Sequence, residues 1–298
     1  MITLEQLTDT FGDKGSRHFE YLRNKNKGGV NNSKGNIFEN FFTVYQIAKS
    51  FNNNANPKDI LFSSQVICFI DDLVIEDRND NKDWHYQIKD VVTLGWNTGK
   101  NPIEQDFRNQ REFSVKLGID PYLTLVISNK EVHDSLVANM PAEIVDFVEV
   151  VHFETASSLN NLIRKNFLIK DELIKMCALE NPSADKLETL GAILLGSWDS
   201  TDKRAVSLEE LLNKSYAQNP HFIKGLSTKI SEKLSSVFRS VERFKYKVEN
   251  GFLIWDFNGT DNGILEYRIG SMEYEQWEND IFNATIKTFE DLELFLVS

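Results

Sequence analysis

Between residues 60 and 92 lie three short runs rich in β-branched and aromatic residues: ILFSSQVICFI (60–70), DDLVIED (71–77) and WHYQIKDVV (84–92). Their connections are hairpin-like, so the runs predict an antiparallel meander. Segments of helical period flank it. NIFENFFTVYQIAKSF (36–51) places apolar residues at 37, 38, 41, 44, 45 and 48, an amphipathic helix with Glu39, Thr43 and Gln46 on its polar side. Glycines at 28, 29 and 35 precede that helix, and the turn-forming NNNANPKD follows it. NPIEQDFRNQREFSVKLG (101–118) predicts a second helix, with Pro102 in its first turn and Gly118 at its end. PYLTLVISN (121–129) is a buried strand and VEVVHFE (148–154) another. The order α, β, β, β, α, β follows from periodicity alone.

The character changes near residue 156. SLNNLIRKNFLIKDELIKMCALE and SADKLETLGAILLGSW are helical in pattern, and VSLEELLNKSYAQNP opens on a capping signature, Ser207 with Glu210. A long helix is expected over roughly 222–245, then a hairpin at Asn250 and Gly251. GILEYRIG is a further strand, and the C-terminal stretch is mostly helical. The expected class is α/β: a mixed sheet flanked by helices over 1–155, then a mainly helical α+β region over 156–298.

Composition sets bounds on function. The 298 residues include 41% hydrophobic ones, enough for a full core. Cys68 and Cys177 stand far apart in apolar contexts, with no Cys or His at ligand spacing, and read as reduced packing residues. No apolar run suggests export or membrane spanning, so a cytoplasmic location is expected. A net charge of −12 is the wrong overall sign for a broad basic grip on nucleic acid. The exception is residues 13–35, where Lys14, Arg17, Arg23, Lys25, Lys27 and Lys34 outnumber Asp13 and Glu20. If any N-terminal segment meets phosphate, it is this one.

Cleaving a phosphodiester with a metal requires clustered carboxylates, and usually a lysine to orient water and offset phosphate charge. Asp71 and Asp72 lie where one strand hands over to the next. Period-two alternation sends Tyr86, Ile88 and Asp90 to one face of the third strand and Gln87 and Lys89 to the other. With Glu39 from the preceding helix, the chain order is Glu, Asp, Gln-x-Lys. Which aspartate coordinates depends on register, because a one-residue slip exchanges their faces.

GGVNNSKGNIFENFF, FIDDLVIED and HYQIKD together resemble the PD-(D/E)XK nuclease superfamily in its Gln-x-Lys form, as in Mrr-type restriction enzymes. Closer still is the resemblance to the double-stranded-DNA endonuclease domain of anti-phage effectors associated with CD-NTase signalling, and of the Lamassu nuclease subunit. It covers roughly residues 15–155. It implies a restriction-endonuclease-like fold, with Asp72 as principal metal ligand, Lys89 as catalytic lysine, Gln87 in a position usually held by Glu or Asp, and Glu39 as the helix-borne carboxylate. Asp71 is a second ligand or a flank. The implied cofactor is Mg²⁺, with Mn²⁺ as a substitute, and the implied substrate is double-stranded DNA. A protein partner, either a sensor or an SMC-like ATPase subunit, and homo-oligomerisation are the implied controls, exerted through residues 156–298. The competing readings are a nuclease-fold scaffold without turnover and an RNA-directed nuclease. Arg108, Arg111 and Lys116 could meet a DNA backbone, and Trp96 either flanks the site or packs in the core.

Other chemistries find little support. GGVNNSKG lacks the order of a phosphate-binding loop, the five histidines are scattered, and no Gly-x-Ser-x-Gly elbow occurs.

Overall fold

A computed structural model describes residues 2–32, 37–53, 56–99, 101–219, 222–225 and 229–296. The chain divides into two compact units, residues 1–176 with 181–218, and residues 177–180 with 219–298.

The first unit opens with helices α1 (Leu4–Phe11) and α2 (Gly15–Asn32), separated by a 3₁₀ turn at Gly12–Lys14. Thr3 caps α1 in a reciprocal capping box with Gln6. Helix α3 (Ile37–Asn52) follows, then strands β1 (Ile60–Ser63), β2 (Leu73–Asp77) and β3 (Lys82–Lys89). These form the expected antiparallel meander, with Phe62 opposite Ile75 and Val74 opposite His85. Helix α4 (Ile103–Lys116) crosses over to β4 (Asp120–Ile127), which runs parallel to β3. Helix α5 (Lys130–Ala138) then leads to β5 (Val148–His152), parallel to β4.

Helices α6 (Leu159–Lys165), α7 (Phe167–Met176) and α8 (Ala184–Asp199) come next, and the two-residue strand β6 (Val206–Ser207) and helix α9 (Leu208–Gln218) complete the unit. The sheet order is β5-β4-β3-β2-β1-β6. This is a mixed six-stranded sheet flanked by helices.

The expected division near residue 155 needs correction. Strand β6 adds to the edge of β1, pairing Leu61 with Ser207, and the Ala205 amide donates to Ser63 Oγ at 2.8 Å. Helices α7 and α8 pack on α3. Thr43 and Gln46, expected on the polar side of α3, are buried, and Gln46 shares a cavity lining with Ile75, Trp84 and Tyr86 of the sheet.

Two further expectations shift at their edges. The run 60–70 is extended only to Ser63, because Gln65 takes a left-handed φ of 52° and turns the chain back, its amide bonding the Asp71 carbonyl at 2.8 Å. Glycines 28 and 29 fall inside α2, while Lys34 and Gly35 lie outside the described residues.

Alternation on β3 sorts the two faces. Tyr86 meets Phe42 of α3 edge-on, with ring centroids 5.2 Å apart. On the other face His85 and Gln87 look toward the side covered by α4, where Gln110 Nε2 stands 3.5 Å from His85 Nε2. Phe107, Leu123, Leu125, Ile127 and Val132 fill the apolar core on this side, and Trp96 belongs to it, donating from Nε1 to the Leu136 carbonyl at 2.9 Å. Cys68 and Cys177 are buried free thiols. Among the described residues no helix is long and apolar enough to cross a membrane.

In the second unit, α10 (Glu232–Ser240) precedes the antiparallel strands β7 (Phe244–Glu249), β8 (Phe252–Phe257) and β9 (Asp261–Arg268), followed by α11 (Met272–Asn283) and α12 (Phe289–Leu296). The expected long helix over 222–245 is therefore a short one. Ser231 Oγ caps its start by accepting from the Leu234 amide, and a left-handed Arg243 (φ 67°) breaks its continuation. FKYKVE then alternates apolar with charged residues and pairs as β7. Phe238, Leu253, Trp255, Trp277 and Leu292 anchor the core.

The expected hairpin forms at Asn250 and Gly251, with φ of 54° and 80°, the two left-handed residues a two-residue loop demands. A Cβ on Gly251 would also stand 2.6 Å from the Gly225 Cα. Gly251→Ala is therefore expected to lower stability by about 1–3 kcal/mol, read as a shift in urea midpoint at unchanged slope.

Candidate active site

Buried carboxylates need cationic or hydrogen-bonding partners, and two of them sit side by side at the head of β2. Asp71 is 2% exposed and Asp72 7%. The two aspartates immediately precede β2, which begins at Leu73, and they find partners in different directions.

Asp72 turns to β3. The last pair of the β2–β3 ladder is Leu73 with Tyr86, which leaves the Ile88 amide beyond the ladder. That amide donates to Asp72 Oδ2 at 2.7 Å, Lys89 Nζ donates to the same oxygen at 3.0 Å, and Gln87 Nε2 donates to it as well. Asp72 Oδ1 accepts from Gln65 Nε2 at 3.3 Å, and that nitrogen also lies 3.5 Å from Glu39 Oε2 on the first turn of α3. The backward turn at Gln65 thus links Glu39 to Asp72. Asp72, Gln87, Lys89 and Glu39 are brought together, and Asp72 is the aspartate that meets Lys89. The Lys89 side chain remains 34% exposed, so the cluster opens to solvent there.

Asp71 turns to α2 and α4. Its Oδ1 lies 3.2 Å from Lys25 Nζ, which also reaches Asp106 Oδ2 at 3.1 Å, Gln87 Oε1 at 3.2 Å and the Phe69 carbonyl. Tyr21, one turn before Lys25, donates from its hydroxyl to Asp106 at 2.9 Å. Gln87 therefore bridges two ion pairs, with its oxygen toward Lys25 and its nitrogen toward Asp72.

Burial pushes the Asp71 carboxyl up to about 6, against the pull of the Lys25 charge and with the Asp72 charge adding to the rise. Burial raises Asp106 as well, again opposed by Lys25. For Lys25 burial acts downward, but the Asp71 and Asp106 charges outweigh it and hold the ammonium above its ordinary range.

Lys25, Tyr21, Asp106 and Gln65 were not singled out from sequence as site residues. Lys25 fell within the basic N-terminal segment, and Asp106 carried a readable signal. It shares the buried stripe of α4 with Phe107, Gln110 and Phe113, and a carboxylate in such a stripe requires a partner. Arg108 pairs with Glu104 at 3.5 Å and Arg111 lies over the Phe147 ring at 5.0 Å, so both are engaged locally.

Among the described residues no three Asp, Glu, His or Cys side chains converge to hold a metal by themselves. Asp72 Oδ2 is filled by three donors. Asp72 Oδ1 and Glu39 Oε2, however, both face the single nitrogen of Gln65, and these hard oxygens suit a hard divalent cation completed by neutral oxygens and water. No family model, curated protein or solved structure matches the chain.

The raised Asp71 fixes the sign of a pH effect. Between its ordinary 3.8 and about 6 the folded chain keeps a proton that the unfolded chain has released. The resulting stabilisation is complete below 3.8 and lost as pH rises toward 6, and Asp106 adds in the same direction. In melts from pH 4 to 7, the melting temperature of Asp71→Asn minus that of wild type is expected to increase up to about pH 6 and then level off.

Proposed function

We propose that this chain is a metal-dependent endonuclease acting on double-stranded DNA, with a restriction-endonuclease-like first unit. The observation that carries the reading is the meeting of Lys89 with Asp72 at 3.0 Å on the strand pair β2–β3, with Gln87 between the ion pairs and Glu39 tied in through Gln65. Asp72 and Glu39 would hold a magnesium ion through oxygens already turned to one point. When bound, that ion supplies charge neutralisation at the scissile phosphate and acidifies water.

Lys89 exchanges its bond to Asp72 for the attacking water and a phosphate oxygen, orienting the first and offsetting the growing negative charge on the second. The water oxygen bonds to phosphorus and gives up a proton to solvent, the ester P–O bond opposite it breaks, and the leaving oxygen takes up a proton from solvent. The Ile88 amide keeps Asp72 fixed when Lys89 leaves it.

A net charge of −12 works against unaided binding to DNA. A protein partner, either a sensor or an SMC-like ATPase, or self-assembly would both supply surface and restrain cutting. This accords with an effector role in prokaryotic anti-phage defence. One observation favours a second reading, a nuclease-fold scaffold without turnover: Asp72 Oδ2 is saturated by protein donors, and no three-carboxylate group exists among the described residues.

The test incubates the protein, with and without the product of its neighbouring gene, on supercoiled plasmid, linear duplex and RNA. The expected result is Mg²⁺-dependent plasmid nicking abolished by EDTA and reduced about 10²–10³-fold or more by Lys89→Ala or Asp72→Asn. Cleavage of RNA alone would redirect the reading to an RNA nuclease. Binding without turnover under every condition would favour the scaffold.

A further inference from the structure

Four oxygen atoms surround the Lys25 ammonium: Asp71 Oδ1 at 3.2 Å, Asp106 Oδ2 at 3.1 Å, Gln87 Oε1 at 3.2 Å and the Phe69 carbonyl. An ammonium has only three protons to give. The oxygen left over is identifiable, since Asp71 Oδ1 makes no hydrogen bond although its residue is 98% buried. Its contact is the ion pair with Lys25 at 3.2 Å. Two carboxylates also bring two negative charges to a point where Lys25 brings one positive charge.

The geometry points to a divalent-cation site, built by Asp71, Asp106, the Gln87 amide oxygen and the Phe69 carbonyl, in which Lys25 is a tethered occupant. A metal ion is not limited to three bonding directions, so it can satisfy all four oxygens and neutralise both carboxylates. The donors are all oxygen, the set that Mg²⁺, Mn²⁺ and Ca²⁺ prefer and that thiophilic metals do not. Lys25 is carried on α2, a helix outside the sheet that also bonds Asp106 through the Tyr21 hydroxyl. Lys25 also holds the oxygen of Gln87 away from Asp72, and its departure frees that amide to turn. The inference stands on these contacts alone and holds whether or not the chain cuts nucleic acid.

Mn²⁺ binding to the full-length chain, counted by electron paramagnetic resonance and paired with thermal melts, tests it without reference to cleavage. Lys25→Ala is expected to bind one more Mn²⁺ per chain than wild type, also in an Asp72→Asn background, where binding beside Glu39 is weakened. Mn²⁺ is expected to raise the melting temperature of Lys25→Ala by about 5 °C or more. Lys25→Arg, which keeps the charge, should behave as wild type, and adding Asp106→Asn to Lys25→Ala should remove the gain. An unchanged Mn²⁺ count in folded Lys25→Ala overturns the proposal. So does failure of Mn²⁺ to stabilise or refold that variant.

Discussion

Two buried aspartates in succession at the head of one strand impose the constraint on which the rest of this site depends. Each carboxylate needs its own counter-charge, because an unpaired buried charge costs several kcal/mol or more. They point apart, and one cation comes from the neighbouring strand while the other comes from a helix. Lys89 supplies the first at 3.0 Å and Lys25 the second at 3.2 Å. Gln87 lies between them, its two amide ends fitting the opposite polarity of the two pairs. The polar cluster is thus one connected object that ties α2, α3, α4, β2 and β3 to a single point of the sheet.

That connectivity explains details that otherwise look incidental. The chain turns back at Gln65 instead of continuing β1, and the turn puts an amide donor between Asp72 and Glu39. Asp106 and Gln110 interrupt the apolar stripe of α4 because each has a partner on the sheet side: Lys25 for Asp106, and the Phe69 amide for Gln110 at 3.0 Å. Removing one member leaves another without a partner in a poorly solvated place, which is why such networks respond to single substitutions more than their pairwise contacts suggest.

The local elements were legible because their periods are clean. The alternation in WHYQIKD puts Gln87 and Lys89 on one face, and the Asn-Gly pair at 250 and 251 marks its hairpin. What could not be read was long-range. Lys25 reaches Asp71 across 46 positions of sequence (71 − 25), through a helix whose composition suggested only a basic surface. Strand β6 is too short to carry a period, so the adherence of residues 159–176 and 181–218 to the first unit leaves no local trace. Val241 and Phe244 continue a helical stripe by coincidence, while FKYKVE carries the period-two pattern that forms β7.

Under the proposed function, Asp72 and Glu39 turn their oxygens to a common point that takes a hard cation beside Lys89. Anomalous diffraction from crystals grown with Mn²⁺ addresses it directly. A peak is expected within bonding distance, about 2.2 Å, of both Asp72 and Glu39, with Lys89 on the same side of the sheet. A structure in which Glu39 and Asp72 face apart, or in which the manganese lies only at unrelated surface carboxylates, would contradict it.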